Sequence, residues 1–147
     1  LFISYSHKDT EFVDVLEGNL KDTEFPYFRD IHDLKSGPIE SQLRTEIQQR
    51  IVLLVLSVNS TSSDWVQLEL EYAREAEKEQ GRYVLCPVAL DNSWTSSPDL
   101  PDRLKYQIGK YFVVNFSTWK DKASFMDSYS KLIDGLRSSY RYETLKA

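Results

Sequence analysis

The sequence predicts an α/β fold, in which a parallel sheet is covered by helices on both faces. Short apolar runs alternate five times with segments of helical periodicity, and this alternation favours parallel strands joined by helical crossovers. The third run, residues 51–56, is entirely aliphatic, as expected for a central strand buried on both faces. The second run contains Pro26, which cannot donate to a neighbouring strand and therefore favours a sheet edge. A flavodoxin-like five-stranded parallel sheet in the order 2-1-3-4-5 satisfies these observations.

The individual elements follow from apolar spacing and from residues that begin or end helices. Strands are predicted at residues 1–5, 25–28, 51–56, 83–90 and 112–116. Helices are predicted after Asp9 or Thr10, from Pro38, from a cap at Asp64, and over residues 121–140. Gln67 completes a predicted capping box with Asp64, and Gly81 is expected to end that helix. Residues 91–105 are predicted to form a long loop.

Composition and charge restrict the class of protein. The chain has 147 residues, the size of a single domain, and is 41% hydrophobic and 28% charged, which is typical of a globular protein. Because the net charge is −5, we expect this domain to bind neither nucleic acid nor an anionic membrane. The single cysteine, Cys86, excludes an internal disulfide and predicts a cytoplasmic location. Since the first residue is Leu1 and a strand begins at once, we expect residues 1–147 to be one domain of a longer protein.

Several kinds of site are excluded. The glycines lack the spacing of a dinucleotide fingerprint, a phosphate-binding loop or a nucleophile elbow. The third strand ends at Leu56-Ser57, without the aspartate of a phospho-accepting receiver domain. His7 and His32 do not have the spacing of metal ligands, so no metal site and no resident cofactor are predicted. Cys86 lies mid-strand and is expected to be a buried, unreactive thiol.

A ligand crevice is predicted where the winding of the sheet reverses, beyond the carboxyl ends of strands one and three. Tyr5, Ser6 and His7 would line it, together with residues 57–63 and the start of the helix at Asp64.

Glu69 is the unusual carboxylate of that helix. Apolar side chains recur along one face, and Glu69 falls in the middle of them: Trp65, Leu68, Tyr72, Ala73 and Ala76. A carboxylate on a buried face must be paired, hydrogen-bonded or exposed to a cavity. Glu69 is therefore either a structural residue or part of a site in an open cleft near Tyr5 and Ser6.

Three segments, taken in order, resemble the motifs of TIR (Toll/interleukin-1 receptor) domains. Residues 2–6, Phe-Ile-Ser-Tyr-Ser, followed by Asp9, resemble the first box. Residues 29–37 resemble the loop after the second strand, the BB loop. Residues 57–60, then Ser63-Asp64-Trp65 with Glu69-Leu70, resemble the family's Ser-x-Trp-x-x-x-Glu segment.

This resemblance implies a function that the residues alone do not. Many bacterial, plant and axonal TIR domains hydrolyse NAD+, and the glutamate essential there corresponds to Glu69. The bacterial-type, NAD-cleaving branch is therefore expected, with NAD+ as substrate and release of nicotinamide and ADP-ribose or a cyclic ADP-ribose. One alternative is a non-enzymatic adaptor that associates with other TIR domains, and another is a nucleoside-transferring relative of the same fold that uses a similar single glutamate. The position of Glu69 on the apolar stripe favours the enzyme.

The resemblance also implies lesser roles for other residues. Tyr5, Ser6, His7, Trp65 and Trp94 are candidate substrate contacts, with Trp94 as a platform for adenine. In the BB loop, seven residues are candidates for gating the pocket or contacting another TIR domain: Arg29, Asp30, His32, Asp33, Lys35, Gly37 and Pro38. In this family activity follows association, so the expected partners are NAD+ and other TIR domains in defence or stress signalling.

Overall fold

The computed structural model describes residues 1–31, 47–48 and 50–140. The strands are β1 (Phe2–Tyr5), β2 (Phe28–Ile31), β3 (Val52–Leu56), β4 (Leu85–Ala89) and β5 (Val114–Asn115). The helices are α1 (Thr10–Leu20), α2 (Asp64–Gln80), α3 (Ser93–Ser96), α4 (Asp102–Gly109) and α5 (Lys122–Ser138), with a short 3-10 helix at His7–Asp9. The predicted α/β fold with a parallel sheet and helices is confirmed. The helix predicted from Pro38 lies outside the described residues, apart from its buried Ile47.

The strands are hydrogen-bonded in the order β2-β1-β3-β4-β5, and every neighbouring pair is parallel. Four strands are four or five residues long, whereas β5 pairs with β4 through only two residues. All five residues of β3 are buried, because β1 and β4 flank it and helices cover both faces. The aliphatic run at residues 51–56 is explained by this position.

Two apolar clusters, one on each face of the sheet, form the core. On one face α1 and α5 pack against the sheet, with Phe12, Leu16, Phe125 and Leu132 among the buried residues. On the other face α2 and α4 contribute a second set, which includes Val66, Leu70, Ala73, Leu104 and Ile108. Alternation along β1 separates the clusters, since Ile3 and Tyr5 belong to the first and Phe2 to the second.

The bounds predicted for two strands were wrong. Strand two begins at Phe28 instead of Phe25, because Phe25 is a core residue at the end of a turn. In that turn Phe25 N donates to Thr23 Oγ1 at 3.2 Å, and Thr23 Oγ1 donates to Leu20 O at 2.7 Å. Strand five was predicted over residues 112–116, but only Val114–Asn115 pairs. Aromatic character at this end reflects packing, since Phe116 contacts Phe12 with ring centroids 5.2 Å apart.

The ends of α2 correct two predictions and confirm a third. Ser63, not Asp64, is the N-cap, and its Oγ accepts from Trp65 N at 3.1 Å. The predicted capping box is also wrong, because Gln67 Nε2 donates to Asp99 O at 3.4 Å instead. Gly81 ends the helix as predicted, with a left-handed φ of 64°.

The segment predicted as one long loop after β4 contains α3 and begins α4. Leu100, Leu104 and Ile108 are buried at a spacing of four residues, which is a helical signal that Pro98 and Pro101 obscured. Among the helices of the described residues, none is long and apolar enough to cross a membrane.

Candidate functional site

Asp9 connects two loops at the carboxyl edge of the sheet. It is 7% exposed and follows β1, while Ser57 and Asn59 follow β3. The Asp9 carboxylate accepts from Ser57 Oγ at 2.6 Å and from Asn59 Nδ2 at 2.9 Å. These charge-assisted hydrogen bonds join the loops on either side of the predicted crevice. Sequence analysis considered Asp9 as a helix cap and as part of the first motif, yet its side chain makes no capping bond.

Asp91, which follows β4, connects a third loop to the same place. Its Oδ2 accepts from Val58 N at 2.9 Å, and its Oδ1 accepts from Ser93 N at 3.0 Å. A cavity of about 240 Å³ lies between these loops, with Asp9 and Asp91 as well as Lys8, Trp119 and Lys120 in its wall. The loops after β1, β3 and β4 are thus held as a unit. The sequence signal that was missed is an aspartate shortly after each of two strands, Asp9 after β1 and Asp91 after β4.

Glu69 lies in the second turn of α2 and is completely buried, with an exposed fraction of 0%. Val66, Leu70, Ala73 and Ala76 share its buried face, so the helical pattern located Glu69 correctly. Trp65, Leu68 and Tyr72, which were predicted to form the stripe, flank this face and are only partly buried. The prediction that Glu69 lies in an open cleft was wrong, because the side chain is inaccessible to solvent in this structure.

Tyr5 and Ser4 lie on opposite faces of β1. Tyr5 is 1% exposed and belongs to the cluster beneath α1 and α5, so in this conformation it is a core residue and not a wall of an open crevice. Ser4, also buried, shares the face of Phe2, which is the face that α2 covers. Ser4 is therefore the polar residue of this strand on the same face of the sheet as Glu69. Strand alternation alone identifies it, although the sequence analysis did not use that signal.

Ser6 and His7 form the turn that leaves β1. Ser6 Oγ accepts from Lys8 N at 3.4 Å and caps the 3-10 helix, while the His7 carbonyl accepts from Thr10 Oγ1 at 2.6 Å. Ser6 is partly buried and His7 is exposed. Both residues border the edge at which the three loops meet, and their contacts with a substrate stay a prediction.

Trp65 and Trp94 are both partly buried and pack against the cluster that contains Val66 and Leu70. Trp65 begins α2, and Trp94 lies in α3. The structure thus places both tryptophans on the Glu69 face of the sheet, whereas Tyr5 is on the other face.

The BB-loop candidates fall largely beyond what the structure describes. Arg29 and Asp30 belong to β2, where they pair in register with Ile3 and Ser4. The other predicted residues, His32, Asp33, Lys35, Gly37 and Pro38, lie outside the described residues.

No group of three or more His, Cys, Asp and Glu side chains could hold a metal ion within residues 1–31, 47–48 and 50–140. Cys86 is buried, as predicted, and burial raises the pKa of its thiol to about 12. A thiol that stays protonated at neutral pH is a poor nucleophile, so Cys86 is not a candidate for nucleophilic catalysis.

Comparison with known proteins identifies the family. A family model described as the TIR domain matches residues 1–133. Protein toll of Drosophila melanogaster is 35% identical in an alignment of 86 residues that covers 55% of this chain but only 8% of that protein's length. The fold is similar to that of the TIR domains in the activated Roq1 resistosome that directly recognizes the pathogen effector XopQ. That similarity has a TM-score of 0.52 at 24% identity and covers 95% of this chain and 89% of the other. Because the family model covers nine-tenths of the sequence, the chain belongs to the TIR domain family.

Proposed function

We propose that this TIR domain is an NAD+ nucleosidase of the bacterial-type, NAD-cleaving branch, with Glu69 as its catalytic carboxylate. The observation that carries the proposal is a fully buried glutamate in the second turn of α2, at the motif position of the family's essential glutamate. A fully buried carboxylate is uncommon in a protein interior, and one that lies at a family motif position is a candidate site residue. A domain that only associated through its surface would have no need of such a residue.

A single carboxylate suits the chemistry of NAD+. The nicotinamide is already a cationic pyridinium, so the bond from ribose C1′ to nitrogen can break without protonation of the leaving group. The electron pair of that bond goes to nicotinamide, and positive charge develops on the ribose. Water then bonds to C1′ and releases a proton, which gives ADP-ribose. Glu69 would stabilise the developing charge, and the low dielectric of its surroundings would strengthen that stabilisation.

The burial of Glu69 also implies how activity would be controlled. A substrate cannot contact a side chain that is 0% exposed, so neighbouring groups must move before NAD+ can bind. Association with other TIR domains, with the BB loop at the contact, would supply that movement. The nucleotide would then contact Ser6, His7, Trp65 and Trp94. A single buried thiol suits a reducing compartment, so we place this activity in the cytosol.

The test compares Glu69→Gln with wild type in a form fused to an oligomeric scaffold, so that association is enforced. We expect clustered wild type to release nicotinamide from NAD+, and Glu69→Gln to lose about 10²–10³-fold in rate, because glutamine keeps the shape but not the charge. Glu79→Gln, an exposed residue of the same helix, is the matched control and should retain the wild-type rate.

Two outcomes contradict the proposal. If Glu69→Gln retains most of the wild-type rate while near-UV circular dichroism is unchanged, Glu69 is not the catalytic group. If clustered wild type releases no nicotinamide, the alternative of a non-enzymatic TIR interaction module replaces the enzyme.

A further inference from the structure

A groove of about 480 Å³ lies between the carboxyl-terminal half of α2 and α4, away from Glu69. Its lining combines cationic and aromatic side chains: Arg74, Lys78, Arg103, Lys110, Tyr83, Tyr106 and Tyr111. Lys78 is nine residues beyond Glu69 on α2, which corresponds to about 13 Å along the helix axis. None of these residues was singled out by the sequence analysis, and the proposed cleavage of NAD+ does not use them.

The groove is positively charged although the chain carries a net charge of −5. Four cations line it with one carboxylate, that of Glu77. That carboxylate is engaged internally, because Oε2 accepts from Val84 N at 2.8 Å and from Leu85 N at 3.1 Å. A groove with this excess of cations attracts an anion.

The cations differ in how they are engaged. Arg103 is paired with Glu71 at 3.2 Å, and both side chains are substantially exposed. Arg74 and Lys78, which are exposed one turn apart on α2, form no ion pair within the described part of the chain. Cations at this spacing repel one another, which favours an anion bound between them.

Two tyrosine side chains beside these cations are largely exposed. Tyr106 is 71% exposed and Tyr83 is 55% exposed. Lys110 Nζ lies 4.8 Å from the centre of the Tyr106 ring, which holds that ring next to positive charge. An exposed ring adjacent to cations can stack with a planar base while the cations bind phosphate.

We propose that this groove binds a nucleoside phosphate, with the base on Tyr106 and the phosphates between Arg74 and Lys78. The volume lies within the range of about 300–1,000 Å³ that is typical of small-molecule sites. A simple inorganic anion would leave the exposed tyrosines without a contact, and a purely apolar ligand would leave Arg74 and Lys78 without one. A nucleoside phosphate can contact both.

The test titrates ADP into the protein by calorimetry and compares two double variants of equal charge. Arg74→Gln/Lys78→Gln should weaken ADP binding by about tenfold or more, because it removes two charge-assisted contacts. Lys21→Gln/Lys122→Gln changes the net charge equally at exposed positions elsewhere and should change the affinity less than twofold. All four residues are exposed, so we expect these variants to remain folded, and thermal unfolding checks this.

A second comparison separates the base from the phosphates. Tyr106→Ala should weaken ADP binding several-fold and leave pyrophosphate binding unchanged, while uncharged adenosine should bind far more weakly than ADP.

Four outcomes overturn the proposal. These are no binding of ADP at millimolar concentration, equal losses in the two double variants, pyrophosphate affinity equal to that of ADP, or a single-stranded oligonucleotide that displaces ADP at far lower concentration. Equal losses would show that the attraction is diffuse, and the last outcome would assign the surface to nucleic acid.

Discussion

Replacing Asp9 by alanine tests whether the loops at the carboxyl edge depend on one buried carboxylate. Asp9 accepts from Ser57 Oγ and Asn59 Nδ2, and it is 7% exposed. Asp9→Ala removes both bonds without adding bulk. The energetic cost of losing this acceptor differs between the two donors. Ser57 is 2% exposed, whereas Asn59 is partly exposed and can form a hydrogen bond with water instead.

The magnitude follows from these contacts. A hydrogen bond to a charged group contributes about 1.5–3 kcal/mol, and a buried donor left without an acceptor costs about 1–3 kcal/mol. The loss at Ser57 should approach those values, while the loss at Asn59 should be smaller since water replaces the contact. We therefore expect Asp9→Ala to lower the free energy of unfolding by about 2–4 kcal/mol. Asp9→Asn, which keeps one acceptor oxygen, should lose about half as much.

The assay is urea unfolding followed by tryptophan fluorescence, for Asp9→Ala, Ser57→Ala and the double variant. If the 2.6 Å bond carries the effect, Asp9→Ala should cost about 1–2 kcal/mol less in the Ser57→Ala background. Asp22→Ala, at an exposed position of the loop after α1, is the matched control and should change stability by less than about 0.5 kcal/mol. A loss below about 1 kcal/mol in Asp9→Ala, or strict additivity with Ser57→Ala, would refute the reasoning.

Two further predictions concern the backbone and pH. Gly81→Ala should lower the free energy of unfolding by about 1–2 kcal/mol, because φ is 64° at this helix end. Gly18→Ala, inside α1 with open space around the added carbon, should raise it by about 0.5–1 kcal/mol, and urea unfolding of both checks the opposite signs. Burial raises the pKa of Cys86 from 9.0 to about 12 and raises the pKa of Tyr140. In the unfolded chain both groups ionise at lower pH than in the folded chain, so the stabilisation from Cys86 declines above about pH 9 and that from Tyr140 above about pH 10, by about 1.4 kcal/mol per pH unit for each group. Urea unfolding between pH 8 and 11 should show a shallower decline in Cys86→Ala; an unchanged slope would contradict this assignment.

Periodicity predicted those features that depend on a residue's own neighbours in the chain. The aliphatic residues 51–56 indicated β3 at the centre of the sheet, and the helical spacing around Glu69 indicated that this carboxylate faces the core. Gly81 indicated the end of α2. These predictions succeeded because buried residues recur with the period of their own helix or strand, so the hydrophobic pattern can be recognised within one segment of the sequence.

The secondary structure of strand two and of the segment after β4 was harder to predict, because apolar residues and turn-forming residues there indicate different structures. Phe25 is apolar as a strand residue would be, but it is buried from a turn held by Thr23. Pro98 and Pro101 suggested a loop, although Leu100, Leu104 and Ile108 have the spacing of a buried helical face. The apolar content of a short segment does not specify which contact buries it.

The sequence by itself determined the alternation of strands and helices, the central strand, and a carboxylate that must face the interior. Only the tertiary structure decided which polar side chains meet. Asp9 and Ser57 are 48 positions apart in the sequence, and Asp91 is 33 positions from Val58, yet they join three loops at one edge. The basic groove likewise forms only because α4 packs against α2 and brings Arg103 to the side of Arg74 and Lys78. Such pairings depend on how whole elements pack, and side-chain spacing within one element carries no information about them.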